Sequence, residues 1–290
     1  MLTPPDCFPW AKGHSTNEME PEDIPIYLQR LGYGAPPPPT LETLRALQAR
    51  HTSAFPFETL STMLRAPVPI DLPSLARKML HDGRGGYCYE LNRLYLALLR
   101  RLGFDARGTT GRVVMGGPED ASTPRTHMLV TVVLDGSRYI TDVGFGGMVP
   151  TGPLRLDTEE EQATAHEPYR LTHHEGSYTL RALVAGSWRA MYVFDLQPQT
   201  DVDYVVGNWY VSTHEDSPFL GQLVAARTGP GLRRTLGNGS YAIHRLGAAS
   251  ERRQLTDVDA VIDVLQSDFG IRVPQHPDLR DIVAGLIADP

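Results

Sequence analysis

The sequence has few cysteines and no long apolar run. Cys7 and Cys88 are the two cysteines in 290 residues, and no apolar stretch approaches the roughly 20 residues that span a bilayer. The N-terminal segment lacks the basic flank and apolar core of a secretory signal. These absences argue against a disulfide-stapled secreted domain and against a membrane protein. We therefore expect a cytoplasmic protein whose thiols stay reduced.

Positive charge is also scarce. Lysine and arginine number 27 against 34 acidic residues, which gives a formal net charge of -7. Such a balance argues against a nucleic-acid-binding surface and against a polybasic membrane anchor. An anionic ligand would need a local basic patch. The length and the ordinary apolar content predict a globular chain of one to three domains.

Cys88 lies at the start of a predicted amphipathic helix. Gly85 and Gly86 precede it and allow a tight turn into the first helical turn, and Gly103 ends the helix. The apolar residues of this helix recur at helical spacing: Leu91, Leu94, Tyr95, Leu98, Leu99 and Leu102. A helix N-terminus favours a thiolate over a thiol, which is the setting of a nucleophilic cysteine. A small buried core residue under a glycine turn is the alternative interpretation.

The apolar pattern changes along the chain. Residues 1–22 are polar and contain prolines, and we interpret them as a flexible extension. Residues 23–104 carry helical patterns, with Thr40 placed as an N-cap. Residues 105–207 hold short runs of β-formers, typical of an antiparallel barrel or a strongly curved sheet. Residues 208–290 mix both patterns, so the sequence predicts an α+β fold.

A hairpin signal brings a histidine and an aspartate together. Asp135 and Gly136 separate two β-rich runs, residues 127–134 and 138–143. With a two-residue turn, counting outward places Asp142 opposite Leu129, on the face that also carries His127. A three-residue loop would reverse this relation. The sequence therefore predicts an Asp–His pair on one side of the hairpin.

A cysteine, a histidine and an aspartate are the parts of a nucleophile, a base and a group that orients the base. In this hypothesis His127 takes the proton of Cys88, while Asp142 fixes the tautomer and stabilises the imidazolium. Taken singly, His127 could be a structural strand residue and Asp142 a cap at a strand end. The sequence alone does not establish that Cys88 reaches His127.

Three blocks resemble the signature motifs of the arylamine N-acetyltransferases. They are Arg-Gly-Gly-Tyr-Cys-Tyr-Glu-Leu-Asn at residues 84–92, Thr-His-Met at 126–128 and Asp-Val-Gly-Phe-Gly at 142–146. The similarity extends over about residues 24 to 270. The resemblance implies a helical bundle, a β-barrel and a C-terminal α/β lid, within the papain-like cysteine-enzyme superfamily. It also implies a Cys88–His127–Asp142 triad.

The resemblance further implies the reaction and the ligands. Acetyl-CoA would acetylate Cys88, and an arylamine, arylhydrazine or arylhydroxylamine would then take the acetyl group in a ping-pong mechanism. The backbone N–H of Cys88 and the segment around Thr126 are candidate oxyanion donors, and Arg84 with Glu58 is similar to a structural pair. The implied substrate-binding residues are Phe57, Val114, Thr126 and Phe145, and those for CoA are Gly144, Gly146, Gly147, Tyr210 and Ser217.

Other functions share this order of residues. Cysteine peptidases and transglutaminase-like enzymes would act on peptide acyl groups, and amide synthases that close macrolactams would need no CoA. A non-catalytic protein that binds CoA or aromatic ligands is the third class. We expect no metal, because His173 and His174 are adjacent strand residues that face opposite sides. The oligomeric state and the natural amine do not follow from the sequence.

Overall fold

A computed structural model describes residues 19–288 of the chain. Its first third is helical, as expected. The helices are α1 (Asp23–Arg30), α2 (Leu41–Ala54), α3 (Leu60–Met63), α4 (Leu72–Ala76), a π-helical turn (Arg77–His81) and α5 (Cys88–Arg101). The Thr40 hydroxyl accepts the N–H of Thr43 at 3.2 Å, so the predicted N-cap is confirmed.

Helix α5 is the centre of the helical region. The Leu and Tyr residues of its predicted apolar stripe are buried among side chains of α1, α2 and α4. The helix ends before Gly103, whose φ of +89° suits a glycine after a helix C-terminus. Because α5 also packs against strands of the next region, its first residue is held between the helices and the sheet.

The middle of the chain forms a nearly closed antiparallel sheet. Its seven strands lie in the order β5-β4-β3-β2-β8-β7-β6. They are β2 (Asp105–Val113), β3 (His127–Leu134), β4 (Ser137–Thr141), β5 (Leu154–Arg155), β6 (Tyr169–His174), β7 (Ser177–Val184) and β8 (Ser187–Asp195). A bridge between Gln162 and Tyr169 brings the β5 side of the sheet toward β6, and apolar side chains fill the inside.

The register of the β3–β4 hairpin agrees with the sequence prediction. Leu134 pairs with Ser137 and Val130 with Thr141. Asp135 and Gly136 both have positive φ, +50° and +78°, as a two-residue type I′ turn requires. The next residue after Thr141, Asp142, therefore falls on the face of His127.

A second sheet joins the helical third to the C-terminal part of the chain. Its order is β1-β9-β10-β11-β12, with β1 (Phe57–Glu58), β9 (Val224–Gly229), β10 (Leu232–Gly237), β11 (Ser240–Arg245) and β12 (Glu251–Gln254). Helices α7 (Val258–Ser267) and α8 (Leu279–Ala288) complete this region and share an apolar core with the sheet. Because β1 comes from the helical third, the lid region is tied to the segment that precedes Cys88.

Helix α6 (Asp201–Thr213) connects the two sheets. The predicted boundary between residues 207 and 208 falls inside it, and the sequence had not predicted this helix. The expected extension of residues 1–22 lies mostly outside the described residues, as does Cys7. Met19, the first described residue, is buried against the helical core. No helix in the described part of the chain is both long and apolar enough to cross a membrane.

Candidate active site

Cys88 is the first residue of α5 and is 4% exposed. Its Sγ lies 3.4 Å from the carbonyl oxygen of Thr126. The chain just before Cys88 packs closely on Pro56, and this contact requires a glycine, because a Cβ on Gly85 would collide with the Pro56 carbonyl. The N–H of Gly86 donates to that same carbonyl at 3.3 Å. The glycine turn thus fixes the start of the helix against the preceding chain.

His127 and Asp142 form a buried pair. The Nε2 atom of His127 lies 2.7 Å from Oδ2 of Asp142, and the two side chains are 2% and 0% exposed. Burial opposes a charged ring, but the charge of Asp142, its hydrogen bond and a hydrogen bond with Cys88 together raise the pKa of His127 to about 10. Since Nε2 faces Asp142, Nδ1 is the ring nitrogen left for the sulfur.

Three further donors converge on the Asp142 carboxylate. Oδ1 accepts the Asn92 amide at 2.9 Å and the Gly144 N–H at 2.8 Å, while Oδ2 accepts the Tyr192 hydroxyl at 3.1 Å. Burial raises the pKa of Asp142, but His127, Asn92 and the Gly144 N–H outweigh burial and leave that pKa below its ordinary value. The carboxylate is therefore ionised and held in one orientation.

Asn92 and Tyr192 were not singled out in the sequence. Asn92 lies one helical turn after Cys88, so its position on the same face of α5 was a usable signal. Its amide also donates to Met128 at 2.7 Å, and its oxygen accepts the Val143 N–H at 3.1 Å. Tyr192 stands on β8, far from Asp142 in sequence, and nothing local could have indicated it.

The glycines after Asp142 permit close packing. A Cβ on Gly144 would lie 2.7 Å from the Asn92 amide nitrogen and 2.8 Å from Cα of Cys88, and one on Gly147 would lie 2.8 Å from the Thr235 methyl. Gly146 has a φ of +58°. The N–H of Gly144 is engaged by Asp142, so this glycine serves the carboxylate. Contact of these glycines with CoA stays a prediction.

Aromatic side chains line the neighbourhood of the histidine. The ring of Phe145 lies 4.9 Å from the rings of both His127 and Tyr192. Phe57 packs 5.8 Å from Phe219, a residue that the sequence had not indicated. Phe145 and Tyr192 therefore form apolar walls beside the imidazole, and Phe57 and Phe219 form a separate aromatic contact.

The other predicted contact residues lie in different environments. Val114 is buried after β2, and Thr126 is partly exposed beside Cys88. Tyr210 stacks on the ring of His214 at 4.4 Å. Ser217 is buried, and its hydroxyl donates to the Val211 carbonyl at the end of α6. The part each of them plays in binding stays a prediction.

A buried charge cluster supports the segment before Cys88. Arg84 donates from Nε to Oε1 of Glu58 at 2.9 Å, as the predicted pair requires, and the other oxygen of Glu58 accepts the Leu60 N–H at 2.7 Å. Lys78 binds Glu90 at 2.6 Å. Burial opposes the charge of Glu58, but Lys78 and Arg84 outweigh it and lower the pKa of Glu58.

Within residues 19–288, no cluster of acidic, His and Cys side chains is suited to hold a metal ion.

Comparison with known proteins defines the class. A family model described as N-acetyltransferase matches residues 40–277, so the chain is of the acyl-transferring class. An arylamine N-acetyltransferase of Mycolicibacterium smegmatis is 41% identical over 253 residues, which are 86% of this chain and 92% of that protein. The chain therefore belongs to the arylamine N-acetyltransferase family and is an acyltransferase.

Solved structures agree with this assignment. The Mycobacterium marinum arylamine N-acetyltransferase in complex with CoA superimposes with a TM-score of 0.86 at 41% identity, covering 91% of this chain and 99% of that one. The predicted family and fold class are thereby confirmed. A relative of different name, the proansamycin X synthase of Amycolatopsis mediterranei, is 34% identical over 186 residues, covering 63% of this chain and 71% of that protein.

Proposed function

We propose that the protein transfers an acetyl group from acetyl-CoA to the nitrogen of an arylamine, arylhydrazine or arylhydroxylamine through an acetyl-Cys88 intermediate. The observation that carries the proposal is the buried His127–Asp142 pair, with the Cys88 sulfur 3.4 Å from the carbonyl oxygen of Thr126, the residue before His127. The His127–Asp142 distance of 2.7 Å and the raised pKa of His127, about 10, favour an imidazolium beside the sulfur. An imidazolium favours a thiolate, which is the reactive form of cysteine.

In the first half-reaction, the Cys88 thiolate attacks the thioester carbonyl of acetyl-CoA. The carbon–sulfur bond to CoA then breaks, and the His127 imidazolium gives its proton to the departing CoA thiolate. The negative oxygen of the tetrahedral intermediate needs donors. The backbone N–H of Cys88, at the N-terminus of α5, is our candidate, with the segment around Thr126 as the second.

In the second half-reaction, the amine nitrogen attacks the acetyl-Cys88 carbonyl. His127, now neutral, takes a proton from the nitrogen, and Cys88 leaves as the thiolate that began the cycle. Asp142 stays ionised throughout and keeps Nε2 of the ring occupied, so Nδ1 does the proton transfer. An amide is more stable than the thioester it replaces, which gives the second step its direction.

The surroundings suit both substrates. Phe57, Phe145 and Phe219 provide aromatic surface that fits an aryl ring, and Val114 and Thr126 would complete the acceptor pocket. Gly146 and Gly147, with Tyr210 and Ser217 farther along, are our candidates for the CoA side. The structure of the M. marinum relative with CoA supports the use of acetyl-CoA by this chain.

The test uses acetyl-CoA without an acceptor. We expect about one free CoA thiol to be released per chain, with the protein gaining one acetyl group by intact mass. The Cys88→Ser variant, which changes a single atom, should fold and give neither signal. Peptide cleavage or macrolactam closure without an acetyl adduct would contradict the proposal and favour a peptidase or an amide synthase.

A further inference from the structure

A cluster of arginines lies away from the candidate active site. Arg227 on β9 and Arg234 on β10 are directly paired across the two strands. Like charges in this position repel each other, because the side chains of such a pair lie close together on one face of the sheet. A natural sheet that keeps the pair needs a compensating negative charge.

The protein supplies only part of that charge. Asp268 is the acid at this position; its Oδ1 lies 3.7 Å from Nε of Arg234, and its Oδ2 accepts the Tyr241 hydroxyl at 2.8 Å. The Nε of Arg234 is buried and has no hydrogen-bond partner among the described residues. Arg227 donates its Nε to the Ser53 carbonyl at 2.7 Å, in the last turn of α2. That hydrogen bond satisfies one guanidinium nitrogen of Arg227 and does not involve Arg234.

A third cation adds to the imbalance. Burial lowers the pKa of Arg30, and repulsion from Arg227 lowers it further. Burial and repulsion from Arg234 act in the same direction on the pKa of Arg227. Arg227 therefore interacts with both Arg30 and Arg234. At the strand pair itself, Arg227 and Arg234 with Asp268 leave a local charge of about +1 in a protein that is acidic as a whole.

A cavity opens beside these groups. It has a volume of about 300 Å³, and Arg227 and Arg234 are among its walls. Ser53, Ser267, the β9–β10 turn at Gly229 and the carboxylate of Asp268 also belong to the polar lining. The Ser267 hydroxyl already donates to the Asp263 carbonyl at 2.7 Å, so Ser53 offers the hydroxyl of this lining. Guanidinium forks and hydroxyls are the donors that bind a tetrahedral oxyanion through several hydrogen bonds.

The cavity is separate from the glycine turn beside Cys88. Thr235 is the strand neighbour of Arg234, and its methyl group faces Gly147. Adjacent strand residues point to opposite faces of a sheet. Arg234 and its cavity therefore lie on the other side of the second sheet from Gly147.

We propose that this cavity binds a phosphate group, either as inorganic phosphate or at the end of a small phosphomonoester. The negative charge of a phosphate offsets the excess positive charge that Arg227 and Arg234 leave after Asp268. The volume exceeds that of a single phosphate, so part of an attached organic group fits. The site is additional to the acetyl-transfer site and does not depend on the function proposed for it.

The test is calorimetric titration of the whole protein with inorganic phosphate and, in a second arm, with ribose 5-phosphate. We expect saturable binding at one site, at least about tenfold weaker in Arg234→Gln. Arg234→Lys, which keeps the charge but not the fork, should fall between the two. Arg107→Gln removes an exposed arginine of the first sheet and should bind like the wild type. Tighter binding of ribose 5-phosphate assigns the site to a phosphomonoester, and equal binding assigns it to the free ion.

Acetylation of Cys88 by acetyl-CoA provides the second readout. Its rate should be the same in Arg234→Gln as in the wild type, because Arg234 lies across the sheet from the glycine turn. Phosphate affinity that is unchanged in a folded Arg234→Gln protein would overturn the proposal. Phosphate that competes with acetyl-CoA equally in both proteins would overturn it too, since the ion would then occupy the acetyl-transfer site.

Discussion

Replacement of Asp142 by Asn tests how the charge of one carboxylate reaches the sulfur. The amide has almost the same shape, but its NH₂ group must face donors on one side or the other. His127 and Tyr192 approach one oxygen, and Asn92 and the Gly144 N–H approach the other. Whichever way the amide turns, two donors lose their acceptor and His127 loses its counter-charge.

The size of the effect follows from the histidine. Its pKa of about 10 stands well above the ordinary 6.5, and the difference corresponds to about 5 kcal/mol in favour of the imidazolium. Without Asp142, burial is the main influence left, so the pKa should fall below 6.5. Less than about a tenth of His127 would then be charged at pH 7.5. We expect acetylation of Cys88 to slow by about 10² to 10⁴-fold, as expected when the orienting acid of a triad becomes an amide.

Two measurements check this reasoning. Rapid-quench mass spectrometry gives the single-turnover rate of acetylation, and an NMR titration of the His127 ring nitrogens gives its pKa. Tyr192→Phe is the matched control: it removes one donor from the same carboxylate but no charge, and should cost less than about tenfold. The reasoning fails if a folded Asp142→Asn protein keeps a His127 that is protonated at pH 8, or if its rate falls less than that of Tyr192→Phe.

Three further predictions concern packing, buried charge and pH. Gly144→Ala should lower the melting temperature and abolish acetylation, because the new Cβ would collide with Cys88. The control Gly152→Ala, whose Cβ meets nothing within 4 Å, should change neither the melting temperature nor the activity. Glu58→Gln leaves buried cations uncompensated and should cost about 3–5 kcal/mol in urea unfolding; an unchanged midpoint would show that the cluster contributes no net stability. The raised pKa of His127 contributes stability that is complete below pH 6.5 and is lost as pH rises toward about 10. Unfolding free energies of wild type and Asp142→Asn should therefore converge over that range, and parallel curves would contradict the linkage.

The parts of the fold that sequence predicts are those with local signals. The stripe of leucines and the flanking glycines of α5 are contained in one short segment. The Asp135–Gly136 turn fixes the register of its hairpin, and from the register the contact between His127 and Asp142 follows. These features can be predicted from the sequence because each depends on residues that are close along the chain.

The missed elements lack such signals. Helix α6 exposes Val202, Val205 and Val206, so its apolar residues do not mark the face that it buries. Strand β10 carries Arg233, a buried arginine that binds Glu167 at 2.6 Å. A charged residue of this kind gives no strand pattern, since its partner comes from a distant loop.

The candidate active site likewise combines residues that have local sequence signals with residues that have none. Cys88, His127 and Asp142 were indicated by a helix start and a hairpin, and Asn92 could have been found from its place on α5. Tyr192 and Phe219 reach the site only through tertiary packing. Sequence reasoning from one chain has no means to pair β8 with the end of β4 or a lid residue with Phe57.

The acetyl-enzyme itself tests the central claim most directly. Protein treated with acetyl-CoA, freed of CoA and digested at low pH should carry its acetyl group on the peptide that contains Cys88. Undigested acetyl-protein mixed with an aromatic amine such as aniline should transfer the group at a rate no slower than steady-state turnover. An acetyl group found on another residue, or an acetyl-Cys88 that reacts with the amine more slowly than turnover, would contradict the account.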